Sequence, residues 1–257
     1  ARSIGCTVTP WVAGESRGWR LSLSDLEQAV GPATRVIVIN MPHNPTGDLM
    51  SPEEFREVHR IADRNGIIVF SDEVYRESEY NPADRLPPAC DLSDRAVSLG
   101  VMSKTYGLPG LRIGWIATRN AAVYERVAAL RDYTTICNSA PSEFLATLAL
   151  RHAETIAERN RQIIRGNLDR VDLFFAAHRK LFAWHRPKAG SVAFPMLLQG
   201  SVDEFCADLL KNKGVLLLPG TLYGPEFKSF RIGFGRRNLP DSLDRLEQYV
   251  RGSGDKR

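Results

Sequence analysis

Short, nearly uninterrupted apolar runs at residues 35–39, 67–70 and 96–102 each give way to a polar loop, and helical patterns lie between them. This recurrence constrains the fold more than any other feature of the chain. Runs this short, rich in β-branched residues and lacking polar alternation, read as parallel strands buried on both faces. A strand–helix–strand rhythm of this kind predicts an α/β domain with a mainly parallel sheet. The loops after such strands open on the carboxyl edge of the sheet, where sheets of this class bind ligands.

Local signals place the other elements. Residues 6–11 read as an opening strand, an abrupt start for a domain that raises the expectation of a fragment. Ser24 with Glu27 forms a capping box for a short helix ending near Val30, and Ser51-Pro52-Glu53-Glu54 opens a second helix that Asn65-Gly66 ends. A strand over 113–118 and a helix over 121–132 complete the first domain. From Ser142 the character changes to α+β: helices over 143–152 and 156–178, strands over 191–198, 215–218 and 230–234, and helices over 203–212 and 240–251. The expected division is a large domain over 1–165, a small domain over 166–252 and a disordered tail over 253–257.

Composition narrows the function. A net charge of +4 without any dense Lys/Arg run argues against a nucleic-acid arm. The four cysteines are widely spaced, with neither CxxC pairs nor metal-ligand spacing, and read as reduced thiols of a cytoplasmic protein. No apolar stretch is as long as a membrane span, and no metal or membrane partner is expected.

The loops carry the chemistry. Residues 103–115 place Lys104 just past a strand, in a Gly/Pro-rich turn, with Arg112 following. A buried lysine with a lowered pKa is a nucleophilic amine suited to a Schiff base. Two more loops, carrying Asn44-Pro45-Thr46-Gly47 and Asp72-Glu73-Val74-Tyr75, open on the same edge. Asn44 and Asp72 are 28 positions apart, and Asp72 and Lys104 are 32 apart.

Together with Phe230-Arg231-Ile232, these motifs resemble the signature set of class I/II aminotransferases. The resemblance covers essentially the whole chain. It implies fold type I, a three-layer sandwich whose large domain is incomplete here, joined to a C-terminal α+β small domain. It also implies pyridoxal 5'-phosphate as cofactor, with amino acid and 2-oxo acid as substrates and a homodimer as the assembly. Lys104 resembles the lysine that forms the Schiff base and then moves the substrate Cα proton. Asp72 resembles the partner of the pyridinium nitrogen. At ~4 Å and an effective dielectric of ~20 that attraction is about 4 kcal/mol, or roughly three pKa units. Asn44 and Tyr75 resemble the donors to the cofactor's phenolic oxygen, Ser103 and Arg112 the phosphate ligands, and Arg231 the grip on the substrate α-carboxylate. Tyr106 and Tyr223 read as packing or rim residues, and His43 has no catalytic role. Near Asn138 there is no arginine of the sort that dicarboxylate-specific members carry, which disfavours an acidic substrate side chain.

The chain departs from the pattern in two places. Val101 stands where the family often has a phosphate-binding serine. The family's N-terminal arm, its phosphate-cradling loop and the aromatic stacked on the cofactor lie outside the chain, so apolar surface that they would cover is expected to be exposed. Three functions stay open. The first is amino-group exchange between an amino acid and a 2-oxo acid. The second is a cyclase or elimination reaction of the capreomycidine-synthase type, which Ala189-Gly190-Ser191-Val192-Ala193-Phe194-Pro195 resembles. The third is an inactive truncated homologue.

Overall fold

The computed structural model describes residues 1–254. The chain forms two compact units. One comprises Ala1–Met41, Asp48–Glu77 and Asn81–Arg151; the other comprises Pro42–Gly47, Ser78–Tyr80 and the chain from His152 onward.

The first unit is built on a four-stranded sheet of order β1-β2-β3-β4, with β1 Val36–Asn40, β2 Ile68–Asp72, β3 Ala96–Val101 and β4 Gly114–Thr118. The pairs β1–β2 and β2–β3 are parallel and β3–β4 is antiparallel. The sheet is therefore mainly parallel, as the apolar runs predict. Parallel pairing brings the carboxyl ends of β1, β2 and β3 to one edge, and Asn40 lies opposite Asp72 in register.

Helix α1, Leu23–Ala29, is capped by Ser22, whose side chain accepts from Asp25 N at 3.3 Å. Ser24, the expected cap, lies inside the first turn, because Ser22 is the residue with the extended backbone that a cap requires. Helix α2, Pro52–Arg64, has the full predicted capping box: Ser51 Oγ accepts from Glu54 N at 3.1 Å and Glu54 Oε2 accepts from Ser51 N at 2.8 Å. Phe55, Val58, Ile61 and Ala62, at helical spacing, bury its inner face. The four-residue helix α3, Ala89–Leu92, follows β2, and α4, Ala121–Thr134, and α5, Ala140–Arg151, follow β4.

Two further expectations fail in this unit. Residues 6–11 form no strand; Trp11 instead donates its indole N–H to Ser22 O at 2.8 Å, and a strand without a ladder partner has nothing to fix it. Nor is β1 buried on both faces. Ile37 and Ile39 are buried, whereas Val36 and Val38 are 47% and 68% exposed. Further apolar side chains stand open on α4 and α5, among them Tyr124, Leu130, Tyr133 and Phe144, and no residue of α4 is buried.

The second unit is α+β. Helix α6, Ala153–Ala177, contains the expected domain division at 165/166 within its length. It packs its buried face, including Leu168, Val171 and Phe175, into a core with Phe182, Leu209, Phe230, Phe234 and Leu246. Strand β5, Phe182–Ala183, pairs with β7, Met196–Leu197, while β6, Val192–Ala193, and β8, Leu218–Pro219, flank β9, Phe230–Gly233. The strand expected over 191–198 is thus split between two sheets. Pro195 sits at the break with no N–H to give a ladder, although its carbonyl accepts from Phe230 N at 2.9 Å. Helices α7, Val202–Lys213, and α8, Leu239–Gly254, complete the unit. The tail expected to be disordered is therefore helical as far as Gly254, since a propagating helix gains a hydrogen bond with each added residue. Residues 255–257 lie outside the described residues.

Candidate active site

In the first unit the candidate residues fall on two loops at the carboxyl edge of the sheet. Asp72 ends β2 and is half-buried. Burial raises its carboxyl pKa, opposed by the Val74 N–H, which donates to Oδ1 at 3.2 Å, and by the Lys104 ammonium. Its second oxygen, Oδ2, accepts nothing among the described residues. Tyr75, 5% exposed, lies beneath the Lys104 side chain, whose Nζ is 5.7 Å from the ring centroid.

Lys104 is not the buried lysine expected from sequence; its side chain is exposed. The turn explains this. Leu108 N donates to Met102 O and Gly107 N to Lys104 O, both at 2.9 Å, and the neighbouring Thr105 takes the inward position. Thr105 is buried, with Oγ1 donating to Arg76 O at 2.7 Å. Tyr106 donates its phenol proton to Glu77 Oε2 at 3.1 Å, and burial with the Glu77 charge pushes its pKa up to about 12. Glu77 holds φ of +73°, a conformation that costs a non-glycine residue on the order of 1–3 kcal/mol. The lysine loop is thereby stitched to the chain that follows Asp72 by residues that the motif reading left aside.

Glu73 was also missed. It is 9% exposed, and its Oε1 accepts from Ala89 N at 2.8 Å and Ser98 Oγ at 2.7 Å. The only sequence signal was its place beside Asp72. Ser103 is half-buried and its hydroxyl makes no hydrogen bond among the described residues. Arg112 is exposed and donates one N–H to Pro109 O at 3.2 Å. The structure brings Asp72, Tyr75 and Lys104 together; it records no contact from Ser103 or Arg112 to them.

In the second unit, Arg231 lies on β9 between the buried Phe230 and Ile232, so strand alternation turns it away from the core. Its Nη1 donates to Asn44 Oδ1 at 3.3 Å and to Tyr223 OH at 3.2 Å. Tyr223, read from sequence as a rim residue, therefore touches the candidate carboxylate ligand.

Among the described residues no group of three His, Cys, Asp or Glu side chains is placed to hold a metal ion, and no helix is long and apolar enough to cross a membrane.

Comparison with known proteins gives a consistent family. Residues 1–242 match the model of aminotransferase class I and II. Capreomycidine synthase of Streptomyces vinaceus is 31% identical over 98% of this chain and 66% of its own. A PLP-dependent aminotransferase from Streptococcus suis superposes with a TM-score of 0.90 at 35% identity, covering 97% of this chain and 66% of that one. The PLP-dependent cyclase OrfR superposes at 0.80 and 32% identity, covering 90% and 62%. The chain thus spans about two thirds of the length of these relatives.

Proposed function

The chain belongs to the aminotransferase class I and II family, and from that premise we propose that the protein is a pyridoxal-phosphate-dependent aminotransferase. It exchanges an amino group between an amino acid and a 2-oxo acid. The observation that carries the reading is the half-buried Asp72 carboxylate, with one oxygen unpartnered and the Lys104 ammonium acting on it. That donor set suits the cofactor: a desolvated carboxylate oxygen for a ring N–H, a primary amine for an aldehyde, and the Ser103 hydroxyl with the exposed Arg112 guanidinium for a phosphate.

When bound, pyridoxal phosphate supplies the aldehyde and the electron-withdrawing ring that this chemistry requires. The protein's own groups do the rest. Asp72 would hold a proton at the ring nitrogen through its charge. Lys104 Nζ would hold the cofactor by its aldehyde and would then move the proton at the substrate Cα. On the family resemblance, Tyr75 and Asn44 would be the donors to the cofactor's phenolic oxygen, and Arg231 the ligand of the substrate α-carboxylate. A homodimeric assembly and a cytoplasmic location complete the proposal on the strength of the family resemblance.

A second reading is a cyclase or elimination reaction on the same scaffold, favoured by the likeness to capreomycidine synthase and to OrfR. The two separate in one assay. With pyridoxal phosphate, a panel of amino acids and an added 2-oxo acid, an aminotransferase consumes the oxo acid, with the parallel double-reciprocal lines of a ping-pong cycle. A cyclase converts its amino acid while the oxo acid stays constant. Conversion of no amino acid at all contradicts both.

A further inference from the structure

Tyr223 follows the turn Gly220–Leu222, and its ring meets Phe194 edge-on, with centroids 5.4 Å apart and planes at 75°. Its hydroxyl accepts from Arg231 Nη1 at 3.2 Å, while Asn44 Oδ1 accepts from the same nitrogen at 3.3 Å. A guanidinium Nη carries two protons, so both protons of Nη1 are committed. Nε and Nη2 of Arg231 donate to nothing among the described residues. Their N–H bonds lie side by side along the opposite edge of the plane, which is the spacing of a carboxylate's two oxygens.

We propose that Tyr223 is a positioning residue for substrate binding: with Asn44 it pins Nη1, fixes the guanidinium plane and presents the Nε–Nη2 edge of Arg231 to a carboxylate. The proposal rests on the reading of Arg231 as the carboxylate ligand. The Phe194 contact holds the phenol in place, so the hydroxyl alone separates positioning from packing. A long, flexible arginine left with a single anchor loses orientation, and ordering it again on binding weakens affinity.

The test uses the whole chain and propionate as probe. Tyr223→Phe keeps the ring and its Phe194 contact. It is expected to raise the propionate Kd, measured by calorimetry with and without pyridoxal phosphate, roughly tenfold, the effect of losing one hydrogen bond to a charged group. The amino-acid KM rises in parallel, while kcat stays within about twofold and the cofactor's absorption band is unchanged. Arg231→Lys serves as reference. If Arg231→Lys weakens propionate binding and Tyr223→Phe leaves Kd and KM at wild-type values, the positioning role is overturned and the Arg231 reading stands. If Arg231→Lys itself leaves propionate affinity unchanged, the reading beneath it falls and the proposal with it.

Discussion

Glu73 Oε1 accepts a hydrogen bond from Ser98 Oγ at 2.7 Å, joining the turn after β2 to the middle of β3. The same oxygen accepts from Ala89 N at 2.8 Å, and Ser98 Oγ accepts in turn from Cys90 N at 3.0 Å. One carboxylate thus fixes the backbone that carries Asp72 against both α3 and the strand that leads to Lys104.

Removing that carboxylate leaves a buried hydroxyl and a buried N–H unsatisfied. Glu73→Ala is expected to lower unfolding stability by about 2–4 kcal/mol, read as a fall in the urea midpoint at unchanged slope. Glu73→Gln keeps an acceptor oxygen and loses less than half as much.

Gly47 lies at φ +70°, and an added Cβ would sit 2.4 Å from Pro187 Cβ and 2.8 Å from Val192 O. Its carbonyl accepts from Lys188 N at 2.8 Å and Ala189 N at 3.1 Å, so the loop cannot retreat without breaking both bonds. Gly47→Ala combines left-handed strain with a backbone clash and is expected to cost at least about 2 kcal/mol. Gly66→Ala is the control: φ is +65° there too, but nothing lies within 4 Å of the added Cβ, so only the strain remains.

His59 gives the fold a pH dependence. It is 2% exposed and neither ring nitrogen has a hydrogen-bond partner among the described residues. Burial lowers its pKa below the usual 6.5, with Asp63 opposing weakly. The unfolded chain therefore binds a proton in a range where the folded chain does not. The stability linked to this group is complete above about pH 6.5 and declines as pH falls below it. Urea midpoints measured between about pH 5 and 8 should fall on the acid side, and His59→Leu should flatten that fall.

Much of the fold was legible because its signals are local. The capping box at Ser51, the apolar runs of β2 and β3, and the helical spacing on α2 each depend on a few adjacent residues. What escaped the sequence depends on partners far along the chain. Residues 6–11 have strand composition but no strand beside them. The alternation of burial on β1 reflects what covers the sheet rather than what composes the strand. Pro195 splits a run that looked continuous. The candidates Asp72 and Lys104 in the first unit, and Arg231 in the second, were singled out by their motifs. Glu73, Thr105, Glu77 and Tyr223 act through hydrogen bonds whose partners no motif lists. The exposure of Lys104 could not be read either, because it depends on which residue of the turn, Lys104 or Thr105, faces inward.

The central claim is that Lys104 is the amine that binds the cofactor aldehyde, beside Asp72. The most direct measurement is the visible absorption spectrum of the purified chain with pyridoxal phosphate, compared with Lys104→Ala. The wild type is expected to show a yellow band that borohydride bleaches and that is absent from the variant. A band of equal strength in Lys104→Ala, or none in the wild type, would contradict it.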